Sequence, residues 1–166
     1  DGMTDGVLIL NGDDDMLAPC GNIFGNVLFY GITDPGFDYY GYDIKETETS
    51  SSFKAKTPNG VYEVNICLPG KHNVLNALAA IAAAEKLGVS SDNIIKGLGE
   101  YKAGATRQNI YKTSGVTIYD DCYNSAPNSL EASLDVLSKM NGRKVAVLGD
   151  MLELGEMSAK LHENCG

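Results

Sequence analysis

The chain has 166 residues, 43% of them hydrophobic and 21% charged, enough apolar material for a buried core in one or two domains. Its 13 lysines and arginines stand against 22 aspartates and glutamates, a formal net charge of −9. That balance excludes a nonspecific binder of nucleic acid or of an anionic membrane, because phosphate affinity comes from clustered cations. It leaves room for a nucleotide site, which needs only a few placed donors.

Val7-Leu8-Ile9-Leu10, closed by Asn11-Gly12-Asp13-Asp14, predicts a buried strand running into a polar turn. Asn26 to Ile32 predicts a second strand, and Tyr42 to Glu46 and Ser52 to Lys56 two more. Tyr39, Tyr40 and Tyr42 read as sheet packing, since no basic residues interleave with them to make a base-stacking platform. Thr57-Pro58-Asn59-Gly60 is a turn, and Val61 to Leu68 alternates apolar and polar residues as a half-buried hairpin partner does. Pro69-Gly70 ends it. A helix is expected from His72 to Leu87, stopped by Gly88. Its middle, Ala77 to Ala84, is apolar almost all round and so is expected to be buried. Ser90 or Ser91 opens a short helix to about Glu100, and Tyr101 to Thr106 is a candidate linker.

Beyond the linker, Val116 to Tyr119 predicts a strand. Asn128 to Met140 predicts a helix in which Asn128 and Glu131 have capping-box spacing. Asn141-Gly142 is a turn, and Lys144 to Leu148 predicts a further strand. Strand, helix and strand within about thirty residues form a βαβ unit with parallel strands. The fold class is therefore α/β, with sheets flanked by helices. The four cysteines form no CxxC pair and have only His72 and His162 to help them hold zinc. They read as reduced thiols of a cytoplasmic protein. No leader is legible, and the apolar run Val74 to Ala84 is too short to insert in a membrane. The opening Asp1-Gly2-Met3 and the ending Cys165-Gly166 suggest a fragment.

Ligands on open parallel sheets sit beyond the carboxyl ends of the strands. Those ends are Asp120-Asp121 and Gly149-Asp150, expected side by side. Asp121 is placed to accept bonds from ribose hydroxyls, although carboxylates there also serve as plain turn caps. In Gly70-Lys71-His72-Asn73-Val74-Leu75-Asn76, His72 and Asn76 share a helix face. With Asn73 they bring purine-recognising groups to a helix start that favours anions. Simple capping by Asn73 is the alternative. Neither GxxxxGK[ST] nor GxGxxG occurs, so no phosphate loop or dinucleotide fingerprint lies in this chain. Arg107 is an isolated guanidinium suited to a phosphate in transfer.

The order of these pieces resembles the Mur ligase family. Leu10-Asn11-Gly12-Asp13-Asp14, then Gly70 to Ala80 with its G-x-H-N-x-x-N-x-x-A-A string, then Arg107, follow the family's central and C-terminal domains. Asp120-Asp121-Cys122-Tyr123-Asn124-Ser125-Ala126-Pro127-Asn128-Ser129 and Val147 to Glu156, with His162 after it, resemble the branch that adds D-alanyl-D-alanine to a UDP-N-acetylmuramoyl-tripeptide. Ser125-Ala126 departs from the Ala-Asn usual there.

The resemblance implies that residues 1–105 end a central ATPase domain and residues 106–166 begin a truncated Rossmann-like C-terminal ligase domain. It implies an ATP- and Mg2+-dependent amide-bond ligase of peptidoglycan precursor synthesis, a monomeric parent, and a fragment inactive alone. His72, Asn73 and Asn76 would line the adenine side, Asp121 would hold the ribose, and Tyr123 and Asn124 would shape the adjoining loop. Arg107 would face the phosphates as the candidate catalytic residue, and Gly149, Asp150 and Glu153 would face the dipeptide. The phosphate loop, magnesium carboxylates and modified lysine would lie upstream. A folylpolyglutamate synthase-like or amidating relative, and a nonenzymatic nucleotide-binding module, are the alternatives.

Overall fold

The computed structural model describes residues 6–104 and 107–165. Five strands, β1 (Leu8–Asn11), β2 (Val27–Gly31), β3 (Tyr39–Glu46), β4 (Ser51–Thr57) and β5 (Gly60–Ile66), form one sheet in that order. β1, β2 and β3 run parallel, whereas β3, β4 and β5 are antiparallel neighbours. Alternation sets the burial: β5 buries Tyr62, Val64 and Ile66, and β4 buries Ser51, Phe53, Ala55 and Thr57.

Helix α1 (Lys71–Lys86) lies on this sheet and buries Asn73, Val74, Ala77, Leu78, Ile81 and Ala82, the spacing of a single helix face. The expectation of burial all round is corrected here. Ala80 and Ala83 are exposed, at little cost because alanine is the best helix former and carries little apolar surface. The contact with the sheet is close. A Cβ placed on Gly41 of β3 would come within 3.0 Å of Leu78 Cδ1. At the far end Glu85 accepts hydroxyl bonds from Tyr39 (3.1 Å), Thr57 (2.8 Å) and Tyr62. Gly88 N–H to Glu85 O and Val89 N–H to Ala84 O, each 3.0 Å, close the helix in a Schellman pattern. Helix α2 (Ser91–Glu100) packs against β5.

Residues 107–165 carry a smaller assembly. β6 (Asn109–Thr113), which the sequence reading missed, pairs antiparallel with β7 (Val116–Asp120). Ser114 and Gly115 turn between them at φ 49° and 77°, the doubly positive φ of a hairpin turn. Helix α3 (Pro127–Lys139) begins at Pro127, with Ser129 Oγ accepting from Ala126 N–H at 3.1 Å. The expected Asn128–Glu131 capping box is thus replaced two residues earlier, with Ala126 at the cap and Ser129 in the place expected of Glu131. Helix α4 (Ser158–Cys165) is tied back by His162, whose Nε2 accepts from Met151 N–H at 2.9 Å.

The predicted strand Lys144–Leu148 does not form. The segment has no ladder partner among the described residues, and Val145 and Val147 are 65% and 94% exposed. A parallel strand of this composition needs cover on both faces. The buried side of α3 is committed elsewhere: Val136 and Met140 line a cleft with Pro69 and Gly70 at the start of α1. The parallel βαβ unit is corrected accordingly. The proposed linker and domain boundary fall partly on Ala105 and Thr106, which lie outside the described residues.

Candidate functional site

The start of α1 is shaped by Gly70, whose φ of 98° is one that L side chains rarely adopt. A Cβ there would also meet the His72 ring at 2.6 Å. Asn73 is buried, and its Nδ2 donates to Pro69 O at 2.6 Å. Its other proton goes to Gln108 Oε1, also at 2.6 Å. Gln108 Nε2 lies 2.9 Å from His72 Nε2. Burial lowers the His72 pKa, opposed in part by Asp121, so the ring is neutral at pH 7; with Gln108 Oε1 taken by Asn73, the Gln108 amide nitrogen donates and His72 Nε2 accepts. Asn76, one turn further on, is exposed.

Asp121 follows the end of β7. Its Oδ1 accepts from Gln108 N–H at 3.2 Å and its Oδ2 from Ser133 Oγ of α3 at 2.6 Å. Arg107 stacks its guanidinium over Tyr123, 3.8 Å from the ring centroid, a cation–π contact. Tyr123 and Asn124 are both exposed. The structure therefore brings His72, Asn73, Asp121, Arg107 and Tyr123 into one neighbourhood, with Gln108 at its centre.

Sequence reasoning passed over Gln108 and Ser133. Their only signal was the polar run Arg107-Gln108-Asn109 and the hydroxyl at the i+4 position from Ser129. The structure does not bring Gly149, Asp150 or Glu153 into this group. All three are exposed, and among the described residues no hydrogen bond or ion pair joins them to it. Since Lys144–Leu148 is not in the sheet, Gly149-Asp150 is not a second acidic strand end beside Asp120-Asp121.

A second contact zone lies beside the first. Lys139 at the end of α3 pairs with Glu46 of β3 at 3.1 Å and with Asp135 at 2.7 Å. Asn141 donates to Glu48 from its Nδ2 (2.6 Å) and its backbone (3.2 Å), holding that carboxyl below its ordinary range. The cleft here is about 230 Å3 and is lined by Glu46, Glu48 and Lys139. Two carboxylates against one ammonium make it a poor seat for a triphosphate. Away from this cleft, Asn76 and Arg107 are exposed and Asp121 offers a hydrogen-bonded carboxylate. Among the described residues no group of three or more His, Cys, Asp or Glu side chains could hold a metal ion.

Two family descriptions cover most of the chain: Mur ligase middle domain over residues 1–84, and Mur ligase, glutamate ligase domain over residues 106–166. The chain belongs to the Mur ligase family. It is 37% identical over 166 residues to UDP-N-acetylmuramoyl-tripeptide--D-alanyl-D-alanine ligase of Bacillus subtilis, covering 98% of this chain and 35% of that protein. A crystal structure of MurF from Acinetobacter baumannii matches with TM-score 0.90 and 35% identity, over 98% of this chain and 36% of the other. MurF ligase from Thermotoga maritima in complex with ADP matches with TM-score 0.82 and 29% identity, over 96% and 37%. The chain thus spans about a third of the length of the Mur ligases it matches. Within the described residues no helix is long and apolar enough to cross a membrane.

Proposed function

We propose that this chain is part of a cytoplasmic, monomeric ligase that joins D-alanyl-D-alanine to UDP-N-acetylmuramoyl-tripeptide at the expense of ATP, in peptidoglycan precursor synthesis. The observation that carries the reading is the meeting of two separate elements. The polar start of α1 and the acidic end of β7 are linked through Gln108 within hydrogen-bond distance of both. In this reading residues 1–105 end an ATP-binding domain and residues 106–166 begin a second domain that closes on it.

A carboxylate is a poor electrophile. In the proposed reaction its oxygen attacks the terminal phosphorus of ATP, ADP leaves, and an acyl phosphate results. The amine of the dipeptide then adds to that carbonyl, loses a proton to solvent, and the tetrahedral intermediate expels phosphate. Such chemistry needs positioning and charge neutralisation rather than a protein nucleophile. Asn76 is assigned to the base, Asp121 to the ribose, and Arg107 to the phosphate, with Tyr123 holding the guanidinium ready. Tyr123 and Asn124 shape the loop over the nucleotide, and Gly149, Asp150 and Glu153 are assigned to the dipeptide side. Mg2+ would be held by residues outside this chain, and none of these steps is routed through it.

The test is phosphate release by the full-length enzyme, dependent on both substrates. Arg107→Ala should lower turnover on the order of 10²-fold or more, as loss of a charge-stabilising group does, with thermal unfolding unchanged. Near-normal turnover in that variant removes Arg107 from the mechanism. A glutamate-adding or amidating activity in a substrate panel replaces the substrate assignment.

A further inference from the structure

We propose that Gln108 is a positioning residue of the ligation reaction, bridging the start of α1 to the end of β7 and so fixing Asn76 relative to Arg107 and Asp121. The inference rests on the ligase reading above and changes the roles of two residues within it. His72 and Asn73 become parts of the bridge, and Asn76 alone addresses the base.

The hydrogen-bond capacities decide this. An amide nitrogen has two protons, and those of Asn73 go to Pro69 O and Gln108 Oε1, both at 2.6 Å. The 3.1 Å approach of Asn73 Nδ2 to His72 Nε2 is therefore a contact, not a third N–H bond. A neutral imidazole has one acceptor nitrogen, and Gln108 Nε2 occupies it at 2.9 Å. Neither His72 Nε2 nor the Asn73 amide protons are left for a purine. One turn on, Asn76 is exposed.

A carboxamide accepts from Asn73 and donates to a neutral imidazole at the same place, which an ionised carboxylate cannot do. The same residue donates its backbone N–H to Asp121 Oδ1 at 3.2 Å, and Ser133 Oγ fixes the other carboxylate oxygen at 2.6 Å. Gln108 adopts φ 52°, a conformation uncommon for a residue with a Cβ and held only where the surroundings over-determine it. Its neighbour Arg107 stacks on Tyr123. A misplacement of about 1 Å here costs on the order of 10²-fold in rate.

A carboxamide also presents the acceptor-and-donor edge that adenine presents through N7 and N6. Gln108 could therefore be a plug that ATP displaces. The anchoring of its backbone to Asp121, and the burial of Asn73, favour the bridge.

The experiment uses full-length enzyme with Gln108→Ala and with the near-isosteric Gln108→Glu, and reads kcat, KM for ATP and the NMR titration of His72. Gln108→Ala should lose on the order of 10²-fold in kcat, with KM for ATP within about threefold, because the side chains assigned to base and ribose are retained while their alignment with Arg107 is lost. In Gln108→Glu the carboxylate still accepts from Asn73 but cannot donate to neutral His72. The bridge then re-forms only when His72 is protonated. Asp121 just after β7, Glu46 on β3 and Asp135 on α3 also favour the charged ring, with Lys139 offsetting the last two. The ratio of variant to wild-type kcat should therefore rise as pH falls below the ordinary histidine value of about 6.5, and His72 should titrate at higher pH than in wild type.

Near-normal kcat in Gln108→Ala, a flat activity ratio, or tighter ATP binding without Gln108 overturns the bridge, the last result supporting the plug. If wild type shows no turnover dependent on ATP and both substrates, the ligase reading falls by itself. The His72 titration then decides the bridge alone, and an unmoved titration in Gln108→Glu overturns it.

Discussion

Residues 6–104 and residues 107–165 both supply side chains to the site, yet they hold them by different means. The first group fixes the start of α1 by packing: Val74, Leu78 and Ile81 are fully buried against the sheet, and Glu85 gathers three hydroxyls at the far end. The second group has a two-stranded hairpin and only Val136, Met140 and Met151 as buried apolar residues. It holds Asp121 and Arg107 through Gln108, Ser133 and a stacked tyrosine. Apolar packing is non-directional and hard to shift, whereas a few hydrogen bonds can be exchanged for others. A site built from one rigid and one lightly tethered part suits the ligase proposed above, which would admit ATP and two further substrates and then exclude water.

The comparison breaks most visibly at Leu78. Leu78→Ala removes a fully buried side chain and should cost about 2–5 kcal/mol. The readout is native-state hydrogen exchange at β4 and β5 amides. Loss of protection confined to residues 109–120 would mean the packing hierarchy is the reverse of that described.

Glu85 sharpens the same contrast by smaller steps. Glu85→Ala leaves the hydroxyls of Tyr39, Thr57 and Tyr62 without their acceptor and should cost about 1–3 kcal/mol. Burial, and then the Glu85 hydrogen bond, push the Tyr39 phenol well above its ordinary value. The folded state therefore holds Tyr39 neutral. The stabilisation this gives is complete below about pH 10, the unfolded value, and is lost as pH rises further. Chemical denaturation between pH 8 and pH 12 should show the fall beginning near 10. A flat profile removes Tyr39 from the account.

Much of the fold was legible because its signals are local. The alternation in Val61 to Leu68, the spacing of the apolar residues in α1 and the Gly88 stop each record a periodicity that the structure uses. The site was legible in part: His72, Asn73 and Asp121 are close neighbours through one intermediary. That intermediary was not. Gln108 matters because of where its two amide atoms fall relative to residues 35 and 36 positions earlier, and no local pattern encodes such a meeting. The βαβ expectation failed for a related reason. Lys144–Leu148 has the composition of a parallel strand, but a strand exists only through its neighbours, and α3 turns its buried residues toward α1.

Val147 gives the smallest expected effect and tests that last point directly. At 94% exposure its side chain has little to lose, so Val147→Ser in the 166-residue chain should change stability by no more than about 0.5 kcal/mol. The same substitution in a strand covered on both faces would remove a buried methyl pair and bury a hydroxyl, costing about 1–3 kcal/mol. Urea denaturation of the two chains side by side separates these cases. A loss of about 2 kcal/mol would put Lys144–Leu148 inside a sheet and give residues 107–165 a core of their own, and the division between a packed and a tethered half would no longer hold.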